Sequence, residues 1–223
     1  MRRRDRQAPR RLTASRLARP ALFGLAAVGA LTGCITGERP TLIDRPAIDD
    51  PAAQAVIDRL GTASSGEFTA TYEITPTRTG TATTAQVVQA GTRRRVTVGE
   101  IDYLSDGTVN RTCENNDRGC VDFIDDARIS DLNITHRFWG DAFRARLELD
   151  ASRRVGFSEA SDATIAGAPA ACVDIPVPSS AELSGVVQYC ALDAGPLARY
   201  VGADVRIELV EFVASASPTD FEP

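Results

Sequence analysis

The chain has 223 residues and a formal charge of −5, and its 25 basic residues are all arginine. The first 33 residues carry eight arginines against one aspartate, so removing this +7 leaves the other 190 residues near −12. A body that acidic excludes an electrostatic grip on nucleic acid, which needs clustered positive charge, and on anionic lipid headgroups. The arginines of residues 1–20 are followed by a run of apolar or small residues, Ala21–Gly33. A basic segment before a short apolar one is the pattern of a secretory signal. The run is shorter than the roughly 20 residues a spanning helix needs.

The run ends in Leu31-Thr32-Gly33-Cys34, which resembles the bacterial lipobox. The resemblance implies a diacylglyceryl group on the Cys34 thiol and cleavage just before that residue. Two acyl chains suffice for stable anchoring, where one does not. The expected organisation is therefore a signal peptide over 1–33, a lipidated N-terminus and tether over 34–49, and one domain over 50–223. The expected location is the extracytoplasmic face of the cell membrane. Arg2–Arg4 and Arg10-Arg11 leave the export route open between general and twin-arginine secretion. The absence of lysine, with many alanines and glycines, points to a GC-rich genome such as an actinobacterium's.

Residues 35–49, ITGERPTLIDRPAID, have two prolines and no periodicity, as a tether would. Asp50-Pro51 opens a helix, with aspartate as cap and proline at its first position. Ala53, Val56, Ile57 and Leu60 form its apolar face and Gly61 ends it. A strand follows over 66–75, where Phe68, Ala70, Tyr72 and Ile74 alternate with Thr69, Thr71, Glu73 and Thr75. Further strands are expected over 83–90, 93–98, 101–104 and 108–113, with a hairpin turn at Ser105-Asp106-Gly107. Residues 121–154 read as two or three helices, among them 131–138 and 141–154, with Phe138, Ala142, Phe143 and Leu147 near one face. Strands return over 158–165, 170–177, 185–192, 197–201 and 204–214, and the tail from Ser215 is expected to fray. The fold class is α+β and β-rich. Alternating strands make an antiparallel sheet with one apolar face, which the helices must cover.

Setting Cys34 aside, Cys113, Cys120, Cys172 and Cys190 remain, an even number in an oxidising compartment. Three pairings are open, and the local one, Cys113–Cys120 with Cys172–Cys190, is favoured. A zinc site is disfavoured because there is no C-x-x-C pair and the lone His136 is distant in sequence.

The strand pattern FTATYEIT, the short strands around VTVGEIDYLSDG, the helical insert, and the later IAGAPAACVDIPV, VVQYCALDAGPLARY and DVRIELVEF resemble the LolA-like lipoproteins. The mycobacterial LppX/LprG group is the nearest pattern, over roughly residues 50–213. The resemblance implies a curved antiparallel half-barrel around helices, with acyl chains between them, and a role in handling lipid or lipoprotein cargo at the envelope. The chain departs from that pattern in its two disulfides and in the few large apolar residues of its helical insert. On this reading Phe68, Tyr72, Val96, Val98 and Leu209 line a cavity, and Phe138, Trp139, Phe143 and Leu147 cover it. The pattern alone reads as an ordinary sheet–helix core; the resemblance makes a cavity its equal.

Enzyme chemistry finds little purchase. His136, in NITHRFW, is the only histidine, and there is no G-x-S-x-G elbow. The pairs Asp49-Asp50 and Asp125-Asp126 read as solvated faces or helix starts, and Glu114–Asp117 lacks the spacing of a calcium loop. No catalytic residue, metal or cofactor is assigned. The function expected is that of an anchored lipoprotein binding an acylated or other apolar ligand. The alternative is a non-enzymatic structural or interaction lipoprotein with a filled core. No protein partner is named by the sequence.

Overall fold

The computed structural model describes residues 48–114, 118–179 and 185–221. Cys34, the signal and nearly all of the tether lie outside them. The described residues fall within one compact unit, residues 45–223.

Helix α1 (Pro51–Thr62) begins as expected. The Asp50 carboxylate accepts from the backbone amides of Ala52 and Ala53, each at 3.1 Å. Its buried stripe is Ala53, Val56, Ile57 and Leu60. Eleven strands follow in one antiparallel sheet that is curved and does not close. They are β1 (Glu67–Pro76), β2 (Thr83–Ala90), β3 (Arg93–Val98), β4 (Ile101–Ser105), β5 (Asn110–Glu114) and β6 (Arg118–Val121). After the second helix come β7 (Glu159–Ile165), β8 (Ala168–Val177), β9 (Gly185–Leu192), β10 (Leu197–Val201) and β11 (Val205–Val213).

The spatial order is β6-β5-β4-β3-β2-β1-β11-β10-β9-β8-β7. The chain thus lays a meander outward from β1 to one edge, crosses to the opposite edge, and lays a second meander inward to β11. The seam is β1 against β11, with Tyr72 opposite Leu209 and Ile74 opposite Ile207. The crossover carries a 3₁₀ segment, Asp126–Leu132, and helix α2 (Asp141–Arg153). That path makes the crossover the lid of the sheet, because a chain joining the two edges must pass over a face.

The insert departs from expectation in two places. Val121 closes strand β6, so residues 121–125 are not helical and the helical stretch begins only at Asp126. Residues 131–138 do not form an α-helix either: Asn133, at φ 57°, ends the 3₁₀ turn in the left-handed region. Asparagine tolerates that conformation because its side chain bonds locally, and a helix cannot continue through it.

The tail is also more ordered than its polarity suggests. Thr69 donates through Oγ1 to the Ser215 carbonyl at 3.1 Å, across the face opposite the helices. A 3₁₀ turn, Pro218–Phe221, then sets the Phe221 ring 4.6 Å from the Arg93 guanidinium. Val88 points to that face and is buried. The apolar carbon of Val88 and the cation of Arg93 give the tail something to pack on.

Candidate ligand-binding interior between sheet and helices

Alternation along β1 sends Phe68 and Tyr72 toward the helical layer, and register carries Val96, Val98 and Leu209 to the same face. α2 supplies Phe143 and Leu147, and the turn before it supplies Phe138 and Trp139. All nine are buried members of one apolar cluster. Phe138 meets Tyr72 edge-to-face at 5.0 Å, and Trp139 meets Phe68 likewise at 5.6 Å. Phe143 turns the other way, to Tyr200 at 4.8 Å and Tyr189 at 6.4 Å.

Tyr103, Tyr189 and Tyr200, which the sequence reading left out, are therefore central to this interior. Their signal was present as apolar-face positions in β4, β9 and β10. Burial pushes all three phenols up from their ordinary range, as it does Tyr72.

Two polar atoms in the layer have no partner among the described residues: the Tyr72 hydroxyl and the Trp139 indole Nε1. Tyr72 is 0% exposed and Trp139 2%. Native interiors pair nearly all such groups. The neighbouring polar atoms are committed elsewhere. Arg94 packs its guanidinium 4.8 Å from the Trp139 ring and donates through Nε to Gln89 Oε1 at 2.8 Å. Buried Gln89 donates to the carbonyls of Ser64 and Gly91.

α2 is fixed by a polar girdle. Arg146 grips Asp204 with two bonds, at 2.7 and 3.0 Å, and lies 4.6 Å from the Tyr200 ring. The Tyr189 hydroxyl donates to Asp150 Oδ2 at 2.5 Å. Burial would raise the Asp204 carboxyl, but Arg146 outweighs it and holds the pKa below the ordinary value.

His136 pairs with Asp126 at 2.9 Å through Nδ1 and stacks on Tyr103. Desolvation lowers its pKa against the pull of Asp126. Asp126 also accepts the His136 backbone amide at 2.7 Å, so the pair acts as a brace for the 126–140 segment. Asp125 caps the 3₁₀ turn, and the Asp50 carboxylate caps α1.

The disulfides are Cys113–Cys120, closing the edge hairpin β5–β6, and Cys172–Cys190, joining directly opposed residues of β8 and β9. Residues 115–117 of the acidic loop lie outside the description. Among the described residues no cluster of three or more His, Cys, Asp or Glu is arranged to hold a metal.

This fold is similar to that of several solved structures. A crystal structure of MucB matches with a TM-score of 0.50 at 14% identity, over 77% of this chain and 62% of MucB. The chain thus spans about three fifths of the MucB it matches. The MucA/MucB complex of Pseudomonas aeruginosa gives 0.45 at 16% identity, over 77% and 60%. LprF from Mycobacterium bovis gives 0.39 at 14%, over 75% and 96%. At such identities the likeness to MucB is one of fold. No protein-family model matches the chain, and no curated protein matches it.

Proposed function

We propose that this protein is an envelope lipoprotein, anchored through Cys34, that binds an acylated lipid or other apolar ligand between its sheet and its helical cover. The observation that carries the reading is the pair of buried donors, Tyr72 Oη and Trp139 Nε1, with no acceptor among the described residues, in a mostly apolar layer. Ligand sites of this kind are mostly apolar with a few polar groups that orient the guest. The ester or carboxyl oxygens of an acyl lipid are acceptors of the kind these donors lack. A buried unmet donor costs about 1–3 kcal/mol, and a ligand that meets it returns that cost as affinity.

A second reading follows from the ring packing. Tyr72–Phe138 and Phe68–Trp139 already stand at contact distance, as they would in the filled core of a non-enzymatic structural or interaction lipoprotein. The two readings separate on one experiment. Trp139 is the only tryptophan, so its fluorescence reports on the interior. Under the carrier reading, domain exported from a lipid-rich host and washed of detergent yields a stoichiometric acyl lipid by mass spectrometry. Re-adding fatty acid or lysophospholipid to stripped protein then shifts the Trp139 emission saturably. Protein that is empty as isolated and shows no saturable shift refutes ligand binding and leaves the filled-core reading.

A further inference from the structure

One corner of the molecule gathers apolar side chains that the interior does not use. Phe157 is 97% exposed, Val155 53% and Val186 63%. The register and bonding bring them together. Val155 donates its amide to the Pro176 carbonyl at 2.9 Å. Gly156 lies so close to Pro176 that a β-carbon there would stand 3.2 Å from the proline ring. Pro176 is paired across β8–β9 with Val186.

The domain's N-terminal entry is fastened to the same corner. Arg154 donates to the Asp49 carbonyl at 2.9 Å and sits 3.4 Å from the Asp50 carboxylate. Ser158 donates through Oγ to the same carboxylate at 2.6 Å. The 154–158 loop is thus clamped at both ends to the residues where the tether joins the fold.

We infer that the Val155–Phe157 loop, with Val186, is a membrane-docking surface that inserts into the interface of the bilayer holding the Cys34 lipid. It rests on the lipoprotein reading for its location, though its apolar chemistry stands independently. Thirteen residues, 35–47, separate Cys34 from Ile48. Even fully extended, that many residues reach at most roughly 50 Å. The corner is therefore held within a short distance of the bilayer and meets it at high effective concentration.

Other occupants fit less well. Three side chains are far too few for the roughly 800 Å² per partner of a stable protein interface. The edge strand beside them, β7, is exposed and carries Glu159 and Asp162, which oppose strand pairing with a second copy. An acidic body gains nothing from anionic headgroups, so insertion of apolar side chains has to supply the binding.

The test has two arms. The soluble unit, residues 45–223, is sedimented with phosphatidylcholine vesicles. Phe157→Asp should lower the partition coefficient by about tenfold or more, the scale of losing one buried aromatic. Phe123→Asp, at the opposite sheet edge and 56% exposed, should leave it unchanged. Thermal unfolding of both variants should match the parent, since neither side chain is packed. No partition by the parent, or equal losses from the two variants, overturns the inference.

In the second arm the full lipidated chain carries Phe157→Trp in vesicles with brominated upper acyl chains. Quenching beyond that of the lipidated parent, whose only tryptophan is Trp139, is expected, and its absence overturns the inference. Should Cys34 prove unlipidated, the first arm still decides the surface on its own, so the two failures are distinguishable.

Discussion

The Tyr72 hydroxyl offers a direct test of the interior. It is fully buried and unpartnered, so in ligand-free protein it costs stability and gives nothing back. Tyr72→Phe removes only that oxygen and keeps the ring that packs edge-to-face on Phe138. The penalty of an unmet buried polar group is about 1–3 kcal/mol, so the variant should be more stable by about 1–2 kcal/mol. For a unit of this size that corresponds to a rise of about 2–8 °C in Tm. The comparison is Tyr189→Phe, which deletes a hydroxyl bonded to Asp150 at 2.5 Å. It should destabilise by about 1–2 kcal/mol, because it strips a charge-assisted bond from a buried ring. Urea unfolding of lipid-stripped protein measures both, with unchanged m-values as the check that the native state is intact. The same Tyr72→Phe variant should hold acyl ligand more weakly. Destabilisation of stripped protein by Tyr72→Phe would refute the reasoning, because it would mean that the hydroxyl is already satisfied.

Asp50→Ala should cost about 1–2 kcal/mol in urea unfolding, since it removes the acceptor for two α1 amides along with the contacts to Ser158 and Arg154. Replacing Cys172 and Cys190 together by serine should cost about 3 kcal/mol, the loop-closure scale for a separation of 18 residues. His136 sets a pH dependence: its folded pKa lies below the ordinary 6.5, so the unfolded chain binds the proton more readily. Stability from this residue is full above pH 6.5 and declines as pH falls below it, and His136→Gln should flatten that slope in urea midpoints measured between pH 7.5 and 5.5. A separate loss belongs near and below pH 4, where Asp50, Asp204 and Glu208, all held below their ordinary values, take up protons. For Asp50 and Asp204 burial works against the lowering and the bonded partners outweigh it; for Glu208 Arg206 leads.

The sheet was legible because its signal is local. A strand with one wet face must alternate, and FTATYEIT, DVRIELVEF and the short strands between them do so within a few residues. Capping at Asp50 was legible for the same reason, since cap and first turn are adjacent. What sequence could not order was the strand sequence in space, because the β1–β11 seam joins residues 129 to 144 positions apart. The insert misled for a physical reason. Ile134 and Phe138 have helical spacing, but they are buried by the tertiary layer they close, and Asn133 breaks the backbone just before them. The nine interior residues were identifiable as one face, whereas Tyr189 and Tyr200 became visible only once α2 lay across β9 and β10. The exposed apolar corner had no local signal: Val186 lies about thirty residues from Val155 and Phe157, and Pro176 joins its strand to their loop.

The two halves of the cover are not held alike, and this bears on how a guest would enter. α2 is bound by two Arg146–Asp204 bonds, by Tyr189 to Asp150, and by the packing of Phe143 and Leu147. The 133–140 turn has no regular backbone ladder; besides the bond from the Leu197 amide to the Trp139 carbonyl at 2.8 Å, it depends on the His136–Asp126 pair behind it and on the rings of Phe138 and Trp139 in front. One unmet donor is the Trp139 indole itself and the other belongs to Tyr72, on which Phe138 packs, so this turn carries or covers both. Local opening draws on segments with few backbone bonds. Amide exchange should therefore be faster over residues 133–140 than over the buried turns of α2 in stripped protein. Added acyl ligand should slow the turn and leave α2 unchanged. Equal protection of the two segments, or slowing of α2 alone, would refute entry beneath the turn.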